Sequence, residues 1–319
     1  MTFFSGKRVV VTGGSGFLGR VVCRKLVDRG ARDAVAPRSA DYDLTRPDAV
    51  EKLFADTTPD LVVHLAARVG GIGANQAHPA DIYLTNLLMG TYVIEEARRR
   101  ETAKTVVVGT ICSYPKFTPI PFKEESLWDG YPEETNAPYG VAKKALLVQA
   151  QANRAQYRQN CIYLMPANLY GPGDKFNPAV SHVIPALVKK FVEAKESGAH
   201  EVEVWGTGSA TREFLYVDDA AEGILLAAER YDGEEPVNLG ANHEVAIKDL
   251  AEMIERLVGL DGALRWDSSR PDGQPRRAID PARAHELFGF EASVPLEEGL
   301  RRTIAWYLDH RAEAEAAVF

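Results

Sequence analysis

Tyr139 and Lys143 lie four residues apart, a spacing that suggests proton-transfer chemistry. On a helix, residues at this spacing lie on one face. A tyrosine in water has a pKa near ~10 and is a poor acid or base at neutral pH, but a neighbouring ammonium stabilises the phenolate and lowers that pKa. Such a pair can move a proton to or from a carbinol oxygen. Because the spacing is also common on ordinary surface helices, this interpretation needs support from other residues.

Two strand ends supply that support. Thr110 follows the β-branched run Thr105–Gly109, and the small residues of Leu65-Ala66-Ala67 close the run Leu61–Leu65. Ligands bind at the carboxyl edge of open parallel sheets, so the threonine hydroxyl could reach the same substrate oxygen as the tyrosine. The alanines leave room for a cofactor. Together these residues predict carbonyl reduction or its reverse.

A glycine-rich segment joins the first strand pattern to the first helix pattern. Its residues are Gly13-Gly14-Ser15-Gly16-Phe17-Leu18-Gly19. Glycines permit a tight turn and close approach of a pyrophosphate, which the helix N-terminus then binds. The strand-to-helix context favours a dinucleotide site over the alternative, a tight turn with no ligand.

The second strand pattern ends in Val35-Ala36-Pro37-Arg38-Ser39. Enzymes that use NAD usually place an acidic residue here to bind the ribose 2′-hydroxyl. No acid is present, and Arg38 could pair with a 2′-phosphate. The segment therefore predicts NADP(H), while the alternative is that Arg38 is a solvated loop residue.

Strand and helix patterns alternate along the first half of the chain, which predicts parallel strands joined by helical crossovers. We expect an α/β fold: a doubly wound parallel-sheet Rossmann domain (residues 1–170) with a smaller C-terminal α/β substrate domain. We expect the second part (171–319) mainly to cover the substrate, with some segments returning to the Rossmann sheet. The Glu/Ala-rich tail after Asp309 is expected to be a frayed helix end. The strand patterns are Arg8–Thr12, Asp33–Pro37, Leu61–Leu65, Thr105–Gly109 and Cys161–Met165, and the longer helix patterns are Pro79–Arg100, Val183–Lys195, Asp218–Arg230, Ile247–Val258 and Leu296–His310.

The glycine-rich segment, the Thr110, Tyr139 and Lys143 set and the segment 168–172 (NLYGP) resemble the extended short-chain dehydrogenase/reductases, most of which modify nucleotide sugars. More specific segments resemble the GDP-L-fucose synthase family, and the likeness runs over nearly the whole chain. These segments are 67–75 (ARVGGIGAN), 112–116 (CSYPK), 165–174 (MPANLYGPGD), 181–187 (SHVIPAL), 204–208 (VWGTG), 212–215 (REFL) and 271–276 (PDGQPR).

The resemblance implies a reaction and its residues. The reaction converts GDP-4-keto-6-deoxy-D-mannose to GDP-L-fucose by epimerisation at C3 and C5, followed by NADPH-dependent reduction at C4. Thr110, Tyr139 and Lys143 match the reductase set, and Cys112 and His182 match the epimerisation pair. A 4-keto group acidifies the C3 and C5 protons, so a thiolate can remove one and an imidazolium can return it on the other ring face. Without the resemblance, Cys112 is better interpreted as a small buried hydrophobe and His182 as a helix-start residue.

The resemblance also implies ligand-binding residues. Tyr139, Lys143 and His182 are expected to contact the cofactor as well. Arg212 can clamp a diphosphate and Trp205 can pack on the base or ribose, although an ion pair and a core aromatic are the alternatives. The full set expected to bind the nucleotide sugar is Asn168, Lys190, Trp205, Arg212, Asp272 and Arg276.

Two departures from the family pattern bear on the substrate. Ile111 replaces a small polar residue and makes the pocket floor more apolar. Lys190 stands where the family typically has arginine, which keeps the charge but loses bidentate phosphate geometry. An NAD-dependent nucleotide-sugar 4-epimerase, or another epimerase/reductase of the superfamily, therefore stays an alternative. A non-catalytic NADP(H) sensor is a remote one, since such proteins often lose the tyrosine or lysine.

Composition excludes several other classes. The formal net charge of −8 argues against general nucleic-acid binding. Three widely spaced cysteines predict a reducing compartment without disulfides or a zinc site, and the histidines show no ligand spacing. The sequence shows no signal peptide or membrane span, so a cytoplasmic enzyme is expected. Apolar residues on more than one helix face predict a homodimer through a four-helix bundle; they are Leu84, Leu87, Leu88, Val93, Leu146 and Leu147.

Overall fold

The fold is built on a six-stranded sheet whose neighbouring strands are all parallel. The computed structural model describes residues 2–70, 72–178, 180–269 and 274–316. In chain order the strands are β1 (Arg8–Thr12), β2 (Asp33–Val35), β3 (Leu61–His64), β4 (Lys104–Val108), β5 (Cys161–Pro166), β6 (Asn168–Tyr170), β7 (Glu201–Trp205), β8 (Thr211–Tyr216), β9 (Val237–Leu239), β10 (Glu244–Ala246), β11 (Ala263–Asp267) and β12 (Arg276–Arg277).

The strand order of the main sheet, β2-β1-β3-β4-β5-β9, creates a crevice at its carboxyl edge. The chain runs outward from β1 to β2 and then crosses to β3 on the other side of β1. This reversal between β1 and β3 is the topological switch point at which open α/β sheets bind ligands. Strands β3, β4 and β5 are buried along their whole length, as expected for a sheet covered on both faces.

Helices cover both faces of this sheet. Helix α1 packs against α7 on one side, while α4 packs against α2 and α5 on the other. This arrangement confirms the doubly wound fold. The helices are α1 (Phe17–Asp28), α2 (Pro47–Thr57), α3 (Ile72–Ala77), α4 (Pro79–Arg99), α5 (Ala137–Tyr157), α6 (Val183–Ser197), α7 (Val217–Arg230), α8 (Ile247–Val258), α9 (Ala282–Phe288), α10 (Leu296–Asp309) and α11 (Arg311–Ala316).

A second hydrophobic core lies beside the sheet and is formed by α6, α8, α10 and the small sheets around β7 and β8. We call these elements the second lobe. In one small sheet β8 lies between β10 and β12 and also pairs with β6; in the other, β11 pairs with β7. Phe176 stacks on Tyr307 at 4.4 Å between ring centroids within this core. Strand β9, although late in the chain, pairs with β5 in the main sheet.

The C-terminal tail differs from the expected frayed end. Residues 311–316 form helix α11, and Ala314 is buried. The carbonyl of Ala314 accepts a hydrogen bond from the Phe176 amide, and Glu315 pairs with Lys189 at 2.9 Å. Tertiary contacts therefore order a segment whose composition alone suggests fraying.

The apolar residues of α4 and α5 divide into two groups. Val93, Leu146 and Leu147 are fully buried inside the protomer, so these three side chains are not available to a dimer interface. Leu84, in contrast, is 53% exposed, and Val148 on α5 is 50% exposed. Helix α4 packs against both the sheet and α5, which buries more than one of its faces. None of the described helices is long and apolar enough to cross a membrane.

Candidate active site

The glycine-rich segment turns from β1 into α1 directly beside the end of β3. Gly13 has φ of +73°, a conformation that glycine adopts without strain, and a Cβ there would lie 2.9 Å from the Ala66 nitrogen. Gly16 precedes the helix, and no side chain caps its first turn. The positive end of the helix dipole is thus left available for an anion. The other predicted residues of this site, Ser15, Phe17, Leu18 and Gly19, form the same turn and first helical turn.

Arg38 lies beyond the end of β2 and is exposed. Its strand end adjoins the glycine-rich segment, since a Cβ added to Gly14 would approach the Cβ of Ala36 to 2.6 Å. The loop that carries Arg38 therefore begins beside the pyrophosphate turn, where a ribose attached to that pyrophosphate would lie.

Leu65, Ala66 and Ala67 line the opposite side of the crevice at the end of β3. The amide of Ala66 donates to Thr12 Oγ1 at 3.3 Å, and Thr12 Oγ1 is 2.8 Å from Nδ1 of the fully buried His64. Burial and the nearby charge of Lys143 lower the pKa of His64 well below its usual value. His64 is thus a neutral, buried residue that supports the Thr12 and Ala66 backbone region beneath the crevice. The sequence analysis did not predict this role.

The first turn of α5 packs against the short 3-10 helix Ile111–Ser113, and this contact brings Thr110, Cys112 and Tyr139 together. A Cβ on Gly140 would lie 2.3 Å from the Cys112 carbonyl oxygen, so only glycine fits. Ser113 Oγ donates to the Gly140 carbonyl at 3.0 Å. Cys112 also donates its amide to Thr110 Oγ1 at 3.1 Å. Tyr139, next to Gly140, is thereby held beside Thr110 and Cys112.

Lys143 lies one helical turn further along α5 and is almost fully buried. Its Nζ donates to the Val108 carbonyl at the end of β4, at 3.0 Å. Burial lowers the pKa of Lys143 to about 8, so the ammonium is still the major form at neutral pH. The Tyr163 hydroxyl donates to the Lys143 carbonyl at 2.8 Å and ties this turn of α5 to β5.

The pKa of Tyr139 is raised, not lowered as the Tyr/Lys spacing predicted. Burial is the largest cause, followed by the charge of Cys112, while hydrogen bonding with Thr110 acts in the opposite direction. The phenol therefore stays protonated at neutral pH. A protonated phenol is the form that donates a proton to a carbonyl oxygen during reduction.

Cys112 has two polar neighbours that the sequence did not single out. Its Sγ lies 3.8 Å from Asn136 Oδ1 and 3.6 Å from Arg277 Nη1. The Asn136 amide group in turn donates to Glu133 at 2.6 Å and accepts from Asn75 at 3.1 Å. Asn75 could have been predicted from sequence, because it lies in the family-like segment 67–75. Arg277 could not, because the family-like segment 271–276 ends one residue before it.

His182 lies immediately before α6, in the second lobe, and is exposed. Desolvation by the surrounding protein lowers the pKa of His182, and the charge of Lys175 lowers it further. The neutral imidazole is therefore favoured before an anionic ligand binds.

Four of the six residues predicted for the nucleotide sugar lie on β6, α6, β7 and β8. Lys190 Nζ lies 5.9 Å from the Trp205 ring centroid and donates to the Glu203 carbonyl at 2.9 Å. Trp205 is 60% exposed and is not a core aromatic. Asn168 donates to the Glu213 carbonyl at 2.9 Å, next to Arg212 on β8.

Arg276 and Arg277 point in different directions, as neighbouring strand residues do. The exposed Arg276 forms a bidentate ion pair with Glu244, and Arg277 faces Cys112. Asp272 lies outside the described residues. Within the described ranges, no group of three or more His, Cys, Asp or Glu side chains could hold a metal ion.

Comparison with known proteins identifies relatives along almost the whole chain. Residues 9–240 match the model of the NAD dependent epimerase/dehydratase family. The chain is 46% identical to the probable GDP-L-fucose synthase 1 of Oryza sativa subsp. japonica over 97% of its own length and 94% of that protein. It is 37% identical to the GDP-L-fucose synthase of Escherichia coli (strain K12), over 96% and 98% of the two chains.

Among solved structures, the GDP-L-fucose synthetase from Naegleria fowleri bound to NADP superposes with a TM-score of 0.89. Its sequence identity is 28%, and the match covers 99% of this chain and 98% of that one. The extent of these matches establishes that the chain belongs to the NAD dependent epimerase/dehydratase family and, within it, to the GDP-L-fucose synthase family.

Proposed function

We propose that this enzyme converts GDP-4-keto-6-deoxy-D-mannose to GDP-L-fucose, by epimerisation at C3 and C5 and NADPH-dependent reduction at C4. The observation that carries the proposal is the cluster of Thr110, Cys112, Tyr139 and Lys143 at the carboxyl ends of the sheet strands. It combines a complete proton-transfer set with a thiol beside the same tyrosine. The family relationship supplies the substrate class.

The crevice fits NADP(H). Gly13 and Ala66 approach so closely that a side chain on Gly13 would fill the crevice, and the uncapped start of α1 suits the pyrophosphate. Arg38 is proposed to bind the 2′-phosphate. When bound, NADPH supplies the hydride that reduces C4.

Tyr139 is the proposed proton donor for the reduction. Its protonated phenol gives a proton to the C4 oxygen as that oxygen becomes an alcohol, and Thr110 hydrogen-bonds the same oxygen. The Lys143 ammonium, one turn away, stabilises the phenolate left behind. Its attachment to the Val108 carbonyl fixes this charge beneath the site.

Cys112 and His182 are the proposed epimerisation pair. The thiolate removes a proton next to the C4 carbonyl and becomes a thiol, leaving an enolate. The imidazolium then returns a proton to the opposite ring face and becomes neutral. Because desolvation by the surrounding protein lowers the pKa of His182, the negative diphosphate of the substrate is expected to assist its protonation.

The second lobe is proposed to bind the nucleotide. Lys190, Trp205 and Arg212 offer two cations and an aromatic face on neighbouring elements, which suits a diphosphate and a base. Asn168, Arg276 and Asp272 are proposed to complete this region.

A homodimer through α4 and α5 is also proposed. The support is the exposed apolar side chains of these helices, among them Leu84 and Val148. Static light scattering at micromolar concentration tests it, and a monomer would contradict it. The three free cysteines agree with a reducing compartment such as the cytoplasm.

The decisive experiment incubates the protein with NADPH and GDP-4-keto-6-deoxy-D-mannose. We expect NADPH consumption and GDP-L-fucose as product by chromatography and proton NMR. GDP-D-mannose, which lacks the 4-keto group, is the matched control and should give no NADPH loss. NADPH consumption that yields a 4-alcohol with unchanged C3 and C5 would restrict the enzyme to reduction.

A further inference from the structure

Arg277 is the charged side chain in closest described contact with the thiol of Cys112. Its Nη1 lies 3.6 Å from Sγ, and its Nε and Nη2 donate to Gln274 Oε1 at 3.2 and 3.0 Å. Gln274 itself donates to the Lys116 carbonyl at 2.8 Å, four residues beyond the cysteine. One glutamine thus links the arginine to the segment that carries Cys112.

The backbone around Arg277 is fixed on two sides. On one side, β12 pairs with β8, and the buried Glu213 accepts the amide of Ile279 at 2.7 Å. On the other side, Phe122 exchanges backbone hydrogen bonds with Ala278 and Asp280, at 2.8 and 2.9 Å. The guanidinium therefore extends from a backbone segment that is held on both sides.

The charge of Arg277 is not neutralised by a carboxylate among the ion pairs of the described ranges. Its partners are an amide oxygen and the sulfur. Other groups facing the sulfur are the protonated phenol of Tyr139 and the neutral Asn136, behind which stands the carboxylate of Glu133. Among these groups, Arg277 carries the charge that favours an anionic sulfur, because a cation beside a cysteine stabilises the thiolate.

We infer that Arg277, held by Gln274, is a positioning residue that stabilises the thiolate of Cys112 for proton abstraction. This inference rests on the proposed function for its catalytic meaning. The contact between the guanidinium and the sulfur is present without substrate. Asn136 Oδ1 would accept the S–H of the thiol form, and Arg277 would donate to the thiolate form, so each protonation state has a partner.

The test measures the rate of Cys112 alkylation by iodoacetamide against pH, in the purified enzyme without substrate. Trypsin isolates Cys112 in the peptide 105–116, away from Cys23 and Cys161, so mass spectrometry reports it alone. For Arg277→Gln we expect the midpoint of the rate profile to rise by about one pH unit, with roughly tenfold slower alkylation at neutral pH. Arg277→Lys keeps the charge and should stay near wild type.

Arg276→Gln is the matched control. Arg276 is the neighbouring residue of the same strand and pairs with Glu244. Its replacement removes the same charge but should leave the midpoint of the alkylation profile unchanged. Gln274→Glu keeps Arg277 but gives it a carboxylate, and should raise the midpoint even if Arg277→Gln does not fold. An unmoved midpoint in folded Arg277→Gln, or in Gln274→Glu when the former cannot be purified, overturns the inference.

Deuterium uptake from D₂O at C3 and C5 separates this inference from the proposed function. If Cys112→Ser loses uptake while the Arg277→Gln midpoint stays unmoved, only the role of Arg277 fails. If Cys112→Ser keeps wild-type uptake, the epimerase assignment fails, whatever the alkylation profile shows. Agreement requires the uptake profile of Arg277→Gln to shift with its alkylation midpoint.

Discussion

The cluster at the sheet edge and the cationic residues of the second lobe are organised in opposite ways. Tyr139, Thr110 and Lys143 are nearly inaccessible and are held by contacts between backbone segments. Trp205 is 60% exposed, and the half-buried Lys190 donates to the Glu203 carbonyl. A buried, fixed cluster suits chemistry at one atom, whereas more accessible side chains suit capture of a large anionic ligand. Variants of the first should reduce turnover, and variants of the second should weaken binding.

Tyr139→Phe should produce the largest loss. Removing the phenolic proton from the buried cluster should lower kcat for NADPH oxidation by about 10³-fold. Cofactor binding, measured by fluorescence titration, should be largely unchanged, and deuterium uptake at C3 and C5 should continue. Near-wild-type turnover would remove Tyr139 from the mechanism.

Cys112→Ser should produce the complementary defect. A serine hydroxyl hardly ionises at neutral pH, so deuterium uptake at C3 and C5 should fall by at least about 10²-fold. Slow reduction of the unepimerised 4-keto sugar should persist, because Tyr139 is intact. His182→Asn should impair inversion more than the first exchange. Wild-type exchange at both carbons in the serine variant would refute the assignment of Cys112 as the base.

Arg38→Ala tests the cofactor side of the same crevice. Loss of a charged contact to the 2′-phosphate should weaken NADPH binding by roughly 30-fold, from about 2 kcal/mol. NADH, which lacks that phosphate, should bind about as before. Isothermal titration of both cofactors measures the difference, and equal weakening would show that Arg38 does not contact the phosphate.

Lys190→Met tests the proposed binding role of the second lobe. We expect KM for the nucleotide sugar to rise about tenfold with kcat nearly unchanged, since a single charged contact to the substrate is lost. Lys189→Met is the matched control, because Lys189 pairs with Glu193 and Glu315 instead. Lys190→Arg restores bidentate geometry and should lower KM. A fall in kcat without a change in KM would contradict the division of roles.

The same comparison shows what sequence could predict. Hydrophobic periodicity placed the main strands and helices within a few residues, because a buried parallel sheet needs continuous apolar runs. The reductase set could be proposed from sequence because Thr110 follows a strand pattern and Tyr139 and Lys143 have a recognisable helical spacing; its catalytic role stays a prediction. The helix α11 and the inward packing of Val93 and Leu146 depend on tertiary contacts that a local pattern does not contain.

Arg277 illustrates the limit most clearly. Two adjacent arginines on a two-residue strand have opposite orientations, and which one faces the site depends on the pairing of β12 with β8. The raised pKa of Tyr139 has a similar origin. The helical spacing of Tyr139 and Lys143 predicted a lowered pKa for the tyrosine. Burial has the larger and opposite effect on that pKa, and burial depends on the whole fold.

Asp174 lies in the segment that leads from the sheet into the second lobe, and its replacement should have the smallest effect on turnover. Burial raises the pKa of Asp174 to about 7, and its Oδ2 has no hydrogen-bond partner in the described structure. A folded-state pKa above the unfolded value means that this group's stabilisation is fully present below pH ~4 and is lost as the pH rises towards 7. Asp174→Asn removes this titration.

Chemical denaturation of both proteins across this range measures the effect. Relative to Asp174→Asn, the wild type should lose up to about 1.4 kcal/mol of unfolding free energy per pH unit between pH ~4 and 7, and then level off. Because Asp174 has no proposed role in the chemistry, kcat at neutral pH should change little. Parallel stability curves for the two proteins would mean that the carboxylate is ionised in the folded state at acidic pH, with water or Lys175 compensating its burial.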